Sequence, residues 1–386
     1  MKKYISILIV ITIIFTLMAC KPSSTPTSSS GVKIGIVTGS LAKNPEEFRA
    51  AEALKSKYPD IIEHTTYPDN YSSKVEKTIE SIVALSEIEG MKAIVICRAV
   101  EGCAEAIKEV KKSNKNMMFF LCSPYEDYTV VASLADVILS INPLEVGNVA
   151  IEQANKQGAK TFVYISNSKY MISDAVKRMR SNMEAKCVEY GITFIDKNIT
   201  DPAIEGGLQV AQMEIADQMP LWIREYGKDT SFFLPHCEIQ DQLIRIAVSG
   251  GTIISQQCCP SPLHGYPTAL RLSISANKKE DMGFVIQAIK DKFVELKVDG
   301  SRYSTWPVPT NTIMLQTAVE YCKAWAEGSF TKKNDPEKLR AILDEIVKST
   351  NSEASVTVTN YTPTGKSALS NYYLIMGEYI DFGIEK

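Results

Sequence analysis

From Lys33 to about Ser255, short runs rich in β-branched and other apolar residues alternate with longer stretches whose apolar positions recur at helical spacing. This alternation constrains the fold more than any other feature. Parallel strands cannot be joined by a tight turn; they need a crossover of about a dozen residues or more, usually a helix. Runs that are apolar throughout, without the in/out alternation of a half-exposed sheet, are strands covered on both faces. Lys33–Thr38, Ala93–Cys97, Met117–Cys122 and Val137–Ile141 are such runs in the first half, and Ile61–Thr66 reads as the second strand. Thr161–Ser166, Thr193–Ile195, Ser231–Leu234 and Thr252–Ser255 follow in the second. Between them the spacing predicts helices from Pro45 to Tyr58, Ser72 to Glu89, Gly102 to Ser113, Ser173 to Tyr190, Leu208 to Tyr226 and Glu238 to Val248. Pro45 fits a first helical position, with Glu46 and Glu47 placed to meet the helix dipole. Pro220 predicts a kink or break in its helix. The class implied is α/β, with right-handed parallel βαβ units.

A single core rarely grows beyond about 250–300 residues, so 386 residues imply two domains. Ala135–Gly158 is where one half hands over to the other. An apolar run ends at the turn Asn142-Pro143, a helix carries Val146, Val149, Ala150 and Ala154 on one face, and Gly158 stops it just before the next strand. The reading is a first lobe over residues 32–141, a crossover over 142–160 and a second lobe over 161–268, with residues 269–386 as a return segment and C-terminal extension. In that last part the pattern predicts a strand at Leu270–Ser275 and a helix from Asp281 to Val298. Trp306-Pro307-Val308-Pro309 is read as a rigid extended segment, followed by helices from Thr312 to Glu327 and Pro336 to Lys348, then a hairpin or extended strands over Val356–Phe382. Whether this tail rejoins the first lobe or wraps the cleft is left open by the pattern.

The N-terminus reads as an export signal. Lys2 and Lys3 precede a mostly apolar stretch, Ile5 to Met18, that is short for a membrane span. Leu17-Met18-Ala19-Cys20 resembles the lipobox of bacterial lipoproteins, which implies cleavage after residue 19 and a lipid on Cys20. Residues 20–31, rich in Ser, Thr and Pro, read as a flexible tether. Losing Lys2 and Lys3 moves the formal charge from −3 to −5, with 45 acidic side chains remaining. That balance argues against nucleic acid as a partner, because such binding rests on clustered positive charge.

Nine cysteines is many for an exported chain. None forms a C-x-x-C pair, so zinc and thioredoxin-like readings lack their spacing. The reading taken is that Cys97, Cys103, Cys122, Cys187, Cys237, Cys258, Cys259 and Cys322 are mostly buried free thiols. The alternative for vicinal Cys258-Cys259 is a redox pair or soft-metal ligands. His236-Cys237-Glu238 follows a strand, where a catalytic or metal site could form, although a helix start accounts for Glu238 equally well. No G-x-S-x-G, H-E-x-x-H or G-x-G-x-x-G motif is present, and Gly365-Lys366-Ser367 lacks the first glycine of a P-loop. The expectation is therefore a protein that is no enzyme and needs no cofactor or metal.

The lipobox, tether, first strand KIGIVTG, paired βα lobes and crossover at Asn142–Gly158 together resemble type I periplasmic binding proteins, the receptor subunits of ABC importers. The resemblance covers about Val32 to Ser275. It implies two Rossmann-like lobes hinged at crossover segments, a small polar solute such as a sugar or nucleoside gripped between them, and a membrane permease as partner. It also implies a location at the outer face of the cell membrane. In that superfamily the solute is held by residues following the strands of both lobes. By position this nominates Ser40, Asn44, Arg98 and Tyr125 from the first lobe and Asn167, Tyr170, His236, Gln256 and Gln257 from the second. Their amides, hydroxyls and aromatic faces suit sugars or bases, and Arg98 could fork onto a carboxylate. A lipoprotein enzyme or a ligand sensor using the same cleft is the alternative. DNA-binding relatives carry a helix-turn-helix before the first strand, where this chain has the signal and tether.

Overall fold

Thirteen-residue helix α1 (Pro45–Lys57) lies between β1 (Lys33–Thr38) and β2 (Ile62–Thr66), and repetition of this unit builds the first lobe. The structure, a computed structural model, describes residues 31–275 and 278–383. The expected signal segment, Cys20 and nearly all of the tether therefore lie outside the described residues. Next come α2 (Val75–Ser86), β3 (Met91–Cys97), α3 (Cys103–Ser113), β4 (Met118–Cys122), α4 (Tyr128–Leu134) and β5 (Val137–Ile141). Residues of one strand divide between two cores. Ile34, Ile36, Ala93, Val95 and Cys97 pack on one side of the sheet, while Val37, Ile94 and Ile96 pack on the other. A strand buried on both faces has no solvent side, which is why its sequence is apolar throughout.

The chain then leaves this sheet. Asn142 accepts hydrogen bonds from the backbone N–H of Leu144 and of Glu145, both at 3.1 Å, and Pro143 occupies the first turn of α5 (Pro143–Lys156). This cap starts a helix where the strand must stop. α5 packs on α6 (Asp174–Tyr190), which follows β6 (Thr161–Ser166). The second lobe continues through β7 (Thr193–Asn198), α7 (Gly207–Tyr226), β8 (Thr230–Phe233), α8 (Gln240–Gly250), α9 (Tyr266–Ala269), α10 (Met282–Glu295) and the short β9 (Ser304–Thr305). Its sheet has the order β7-β6-β8, all parallel. Single bridges Ser231 to Ile253 and Ile254 to Tyr303 carry the layer onward.

The tail completes the first lobe. Helices α11 (Thr310–Ala326) and α12 (Pro336–Thr350) pack together, α11 lying against α1, β3 and β4. The hairpin β10 (Val356–Asn360) and β11 (Tyr372–Gly377) extends the first sheet to the order β10-β11-β5-β4-β3-β1-β2, with β11 parallel to β5. The chain ends its described course in β12 (Ile380–Asp381), antiparallel to β9 of the second lobe. Three connections thus join the lobes: at Asn142, between β9 and α11, and between β11 and β12. The last two touch at Trp306, which is fully buried, and a Cβ on Gly377 would stand 2.8 Å from its ring. Glycine is required there by close approach.

Several expectations need correction. Leu270–Ser275 is not a strand: it follows α9, and Arg271 takes a left-handed φ of 55° that breaks an extended path. Thr252–Ser255 contributes single bridges rather than a full strand. Ser72 caps no helix; it lies in a 3₁₀ turn, and α2 starts after Lys74. α7 runs unbroken through Pro220. Among the described residues no helix is long and apolar enough to cross a membrane.

Candidate functional site

The two sheets face each other across their carboxyl ends, and the loops after the strands meet there. This is where open α/β sheets hold ligands. After β3, Arg98 and Ala99 adopt positive φ of 67° and 31°, and after β4 Ser123 does so at 47°. Such backbone is costly for residues with a Cβ and persists where its surroundings fix it. Here the two loops bind each other. Arg98 N–H donates to Cys122 O at 2.7 Å, and Glu126 N–H donates to Ala99 O at 3.1 Å.

This backbone sends the Arg98 side chain into the junction between the lobes, where it is 3% exposed. Its Nη2 lies 2.5 Å from Glu47 Oε1 on α1. Its Nη1 donates to the Tyr125 hydroxyl and, at 3.0 Å, to Cys237 Sγ of the second lobe. Burial opposes the Arg98 charge, but Cys237 and Glu47 outweigh it and keep the guanidinium protonated. Burial likewise pushes Glu47 up to about 7, against the pull of Arg98. Neighbouring Glu46 is also raised by burial; its Oε1 accepts from the N–H of Thr312 at 3.2 Å, in the first turn of α11.

On the second lobe, Asn167 follows β6. Its Oδ1 accepts from Tyr170 N–H at 2.8 Å and its Nδ2 lies 2.8 Å from His236 Nε2. An amide nitrogen can only donate, so His236 Nε2 is the acceptor. Burial lowers the His236 pKa, in keeping with a neutral ring. The Tyr170 ring packs on His236 at 4.8 Å between centroids and on Tyr125 of the first lobe at 6.2 Å.

Two cavities flank this junction. One, of about 440 Å³, is lined by Tyr71, Ser123, Tyr125 and Glu126 from the first lobe and by Asn167, Tyr170, His236 and Cys258 from the second. The other, of about 1170 Å³, lies among Lys43, Glu46, Arg49, Glu238, Asp241, His264, Arg271 and Lys279. Cys237 belongs to both walls, and Arg98 stands behind it. Outside the junction the lobes are tied by Lys169, 2.9 Å from Glu101 and 3.1 Å from the Ser72 hydroxyl, and by Lys43, which donates to Pro202 O at 3.3 Å.

The residues nominated from sequence divide into groups. Tyr125, Asn167, Tyr170 and His236 line the smaller cavity, and Arg98 is in contact with two of its wall residues. Ser40 and Asn44 stay in the loop after β1. The Ser40 hydroxyl accepts from Lys43 N–H at 3.3 Å, and buried Asn44 accepts from Tyr67 OH at 3.5 Å. Gln256 accepts from Tyr379 OH in the β11–β12 connection. Gln257 donates to Ser261 O at 2.9 Å and His264 O at 3.0 Å, closing its own loop. Neither glutamine lines either cavity.

That closed loop assembles a group of residues that sequence reasoning passed over as a group. Cys237 Sγ lies 2.9 Å from Cys258 Sγ and 3.4 Å from Cys259 Sγ, and Cys258 Sγ lies 3.4 Å from His264 Nε2. Burial pushes the Cys237 thiol up, but hydrogen bonds from Cys258 and Cys259 and the charges of Arg98 and His264 prevail and hold it well below the usual thiol range. Cys258 and Cys259 are pushed well above it, Cys258 chiefly by burial and Cys259 by the bond to Cys237. Cys237, the thiol shifted downward, is also the one that faces Arg98. The vicinal pair and the His-Cys-Glu run were visible as separate signals; His264 carried none.

Comparison with known proteins agrees with this architecture. A family model described as a protein of unknown function (DUF3798) matches residues 32–302. An uncharacterized protein of Treponema pallidum (strain Nichols) is 27% identical over 201 residues, covering 48% of this chain and 90% of its own length. Among solved structures, a putative transcriptional regulator from Clostridium difficile 630 superposes with a TM-score of 0.69 at 20% identity, covering 91% of this chain and 99% of its own. The substrate-binding protein of a sugar ABC transport system from Bordetella parapertussis 12822 superposes with a TM-score of 0.53 at 11% identity, covering 91% and 89%. The fold is that of type I periplasmic binding proteins.

Proposed function

This chain belongs to the family described as a protein of unknown function (DUF3798), and from its site we propose that it is an extracytoplasmic solute-binding protein. It closes two lobes on one small polar ligand and presents that ligand to an ABC-type membrane permease. The observation that carries this reading is the cavity of about 440 Å³ whose walls come from both lobes at the carboxyl ends of both sheets. Its size falls in the range of small-molecule sites. Tyr125 and Tyr170 offer aromatic faces, while Asn167, His236 and Ser123 offer hydrogen-bonding groups, a combination that suits a sugar or a nucleoside. Contacts from both lobes exist together only when the lobes are closed, so a ligand that needs both shifts the population toward closure without any chemistry. A cleavable signal and a lipid on Cys20 would hold the protein at the outer face of the cell membrane, with residues 20–31 as a tether.

Native mass spectrometry of the full chain, purified without denaturation and released from a mild detergent, tests this. A stoichiometric small adduct that leaves on unfolding supports the reading and identifies the solute class. No adduct, together with no thermal shift across sugars, nucleosides, amino acids and vitamins, overturns it. An adduct converted to product during incubation replaces it with the enzyme reading.

A further inference from the structure

The geometry points to a metal site that the solute-binding reading does not require: Cys237, Cys258, Cys259 and His264 form a binding site for a thiophilic cation, with Zn²⁺ the ion whose preferences this donor set meets. The ligand atoms of Cys237, Cys258 and His264 all lie within 4.8 Å of one another. Cys259 Sγ, 3.4 Å from Cys237 Sγ, lies outside that group of three and supplies the fourth donor once its side chain moves inward. Three sulfurs and one imidazole nitrogen are a set that tetrahedral Zn²⁺ accepts. With Zn–S of about 2.3 Å and Zn–N of about 2.0 Å, the tetrahedron's S–S edges are about 3.8 Å and its S–N edges about 3.5 Å. The observed S–N separation of 3.4 Å already matches, and the S–S separations of 2.9 and 3.4 Å need to open by less than about 1 Å.

The surroundings fit as well. Three thiolates around a dication leave one negative charge, and the Arg98 guanidinium donates to Cys237 Sγ at 3.0 Å, where it offsets that charge. Gln257 pins the loop that carries three of the donors through its bonds to Ser261 O and His264 O. Cys237 and Cys258 face the smaller cavity and Cys237 and His264 the larger, which gives an ion a way in. The remaining described thiols differ. Cys97, Cys103, Cys122, Cys187 and Cys322 belong to no candidate metal cluster, the sole one among the described residues being that at Cys237. All four donors belong to the second lobe and only the offsetting charge of Arg98 comes from the first, so the ligand set does not require a captured solute, and the two readings can fail separately.

The test uses the full chain, kept reduced, stripped with a chelator and titrated with Co²⁺ and then Zn²⁺. The expected result is one Co²⁺ per chain with the intense visible and sulfur-to-metal charge-transfer absorption of a tetrahedral thiolate site, displaced by one equivalent of Zn²⁺. C258S and H264A should each weaken Zn²⁺ binding by about ten-fold or more, while C187S should leave it unchanged. Far-ultraviolet circular dichroism of each variant confirms that it has folded. The wild-type spectrum alone keeps the proposal falsifiable should a variant not fold. Absence of a stoichiometric cobalt spectrum overturns the site, as does a spectrum that survives both C258S and H264A. Peptide mapping that finds Cys237 joined to Cys258 as a disulfide in the protein as isolated overturns it too. Retention of a small-molecule adduct by a chain that binds no metal would remove this site and leave the solute-binding reading standing.

Discussion

Arg98 of the first lobe donates to Cys237 Sγ of the second at 3.0 Å, and this contact is the partition between the two interlobe cavities. On its other side Arg98 is paired with Glu47 at 2.5 Å, with both side chains almost wholly buried. Removing one member of such a pair leaves the other buried and uncompensated, which costs about 3–5 kcal/mol. R98A should therefore lower stability by about that amount in urea unfolding. The double variant R98M/E47M should recover part of the loss, because it removes the stranded Glu47 carboxylate but leaves Cys237 Sγ and the Tyr125 hydroxyl without the Arg98 donor. If R98A unfolds at the wild-type urea concentration, the pair is not the junction described here.

The smaller cavity should answer to its polar wall. Asn167 orients both Tyr170 and His236, at 2.8 Å each. N167A removes a ligand-facing amide and releases both neighbours. With the co-purifying solute identified, calorimetry should show its affinity fall by about ten-fold, the effect of losing one well-made buried hydrogen bond, alongside a stability loss of about 1–3 kcal/mol from the unpartnered Tyr170 N–H and His236 Nε2. Equal affinity for N167A and wild type would place the solute elsewhere.

Gln257 makes the opposite prediction. Its amide nitrogen serves Ser261 O and His264 O within its own loop, so Q257A strands two buried carbonyls. A stability loss of about 1–3 kcal/mol is expected, with solute affinity unchanged. A variant of wild-type stability with weakened solute binding would restore Gln257 to the ligand.

The acid in the loop after β4 sets a pH dependence. Glu126 accepts from the N–H of Gly102 at 3.1 Å and of Ala104 at 2.8 Å, at the start of α3, yet burial prevails and pushes its carboxyl up from 4.5 to about 7. A folded-state pKa above the unfolded one means that the folded chain binds more protons between these values. Stability contributed by this group is thus greatest below pH 4.5 and declines as pH rises to about 7, then levels off. E126Q, which keeps an acceptor oxygen without the charge, should flatten that part of a melting-temperature profile taken from pH 4.5 to 7. An unaltered profile would show that Glu126 does not titrate in this range.

What the sequence made legible follows from the range of the forces involved. β1 and β3 to β6 announce themselves because burial on both faces keeps most of each run apolar. Arg98, Tyr125, Asn167, Tyr170 and His236 could be nominated because parallel topology brings every strand's carboxyl end to one side. Leu270–Ser275 misled because its alternation of apolar and polar residues carries no mark of the left-handed turn at Arg271. Glu47 looked like a helix-dipole acid, since its partner Arg98 arrives by tertiary packing. Gln256 and Gln257 follow the run Thr252–Ser255, which makes single bridges, and the direction of each amide is decided by Tyr379 and by the loop's own closure. The group formed by Cys237, Cys258, Cys259 and His264 depends on that same loop path, which no spacing rule encodes.

The contact between Lys169 and Glu101 lies at the rim of the smaller cavity and links the lobes at 2.9 Å, with both side chains 43–45% exposed. An exposed pair of this kind contributes about 0.2–1 kcal/mol. Its stabilisation exists only in the closed arrangement, because the partners sit on different lobes. It therefore biases the closing equilibrium rather than folding itself. K169A should weaken solute binding by about two- to five-fold, mostly through faster release, and the effect should shrink at high salt as the wild-type pair is screened. The melting temperature without solute should hardly move. The double variant K169A/E101A should behave as K169A does, since one interaction is lost in both. Additive losses in the two single variants would mean instead that each side chain touches the solute directly, and would move the ligand outward to the cavity mouth.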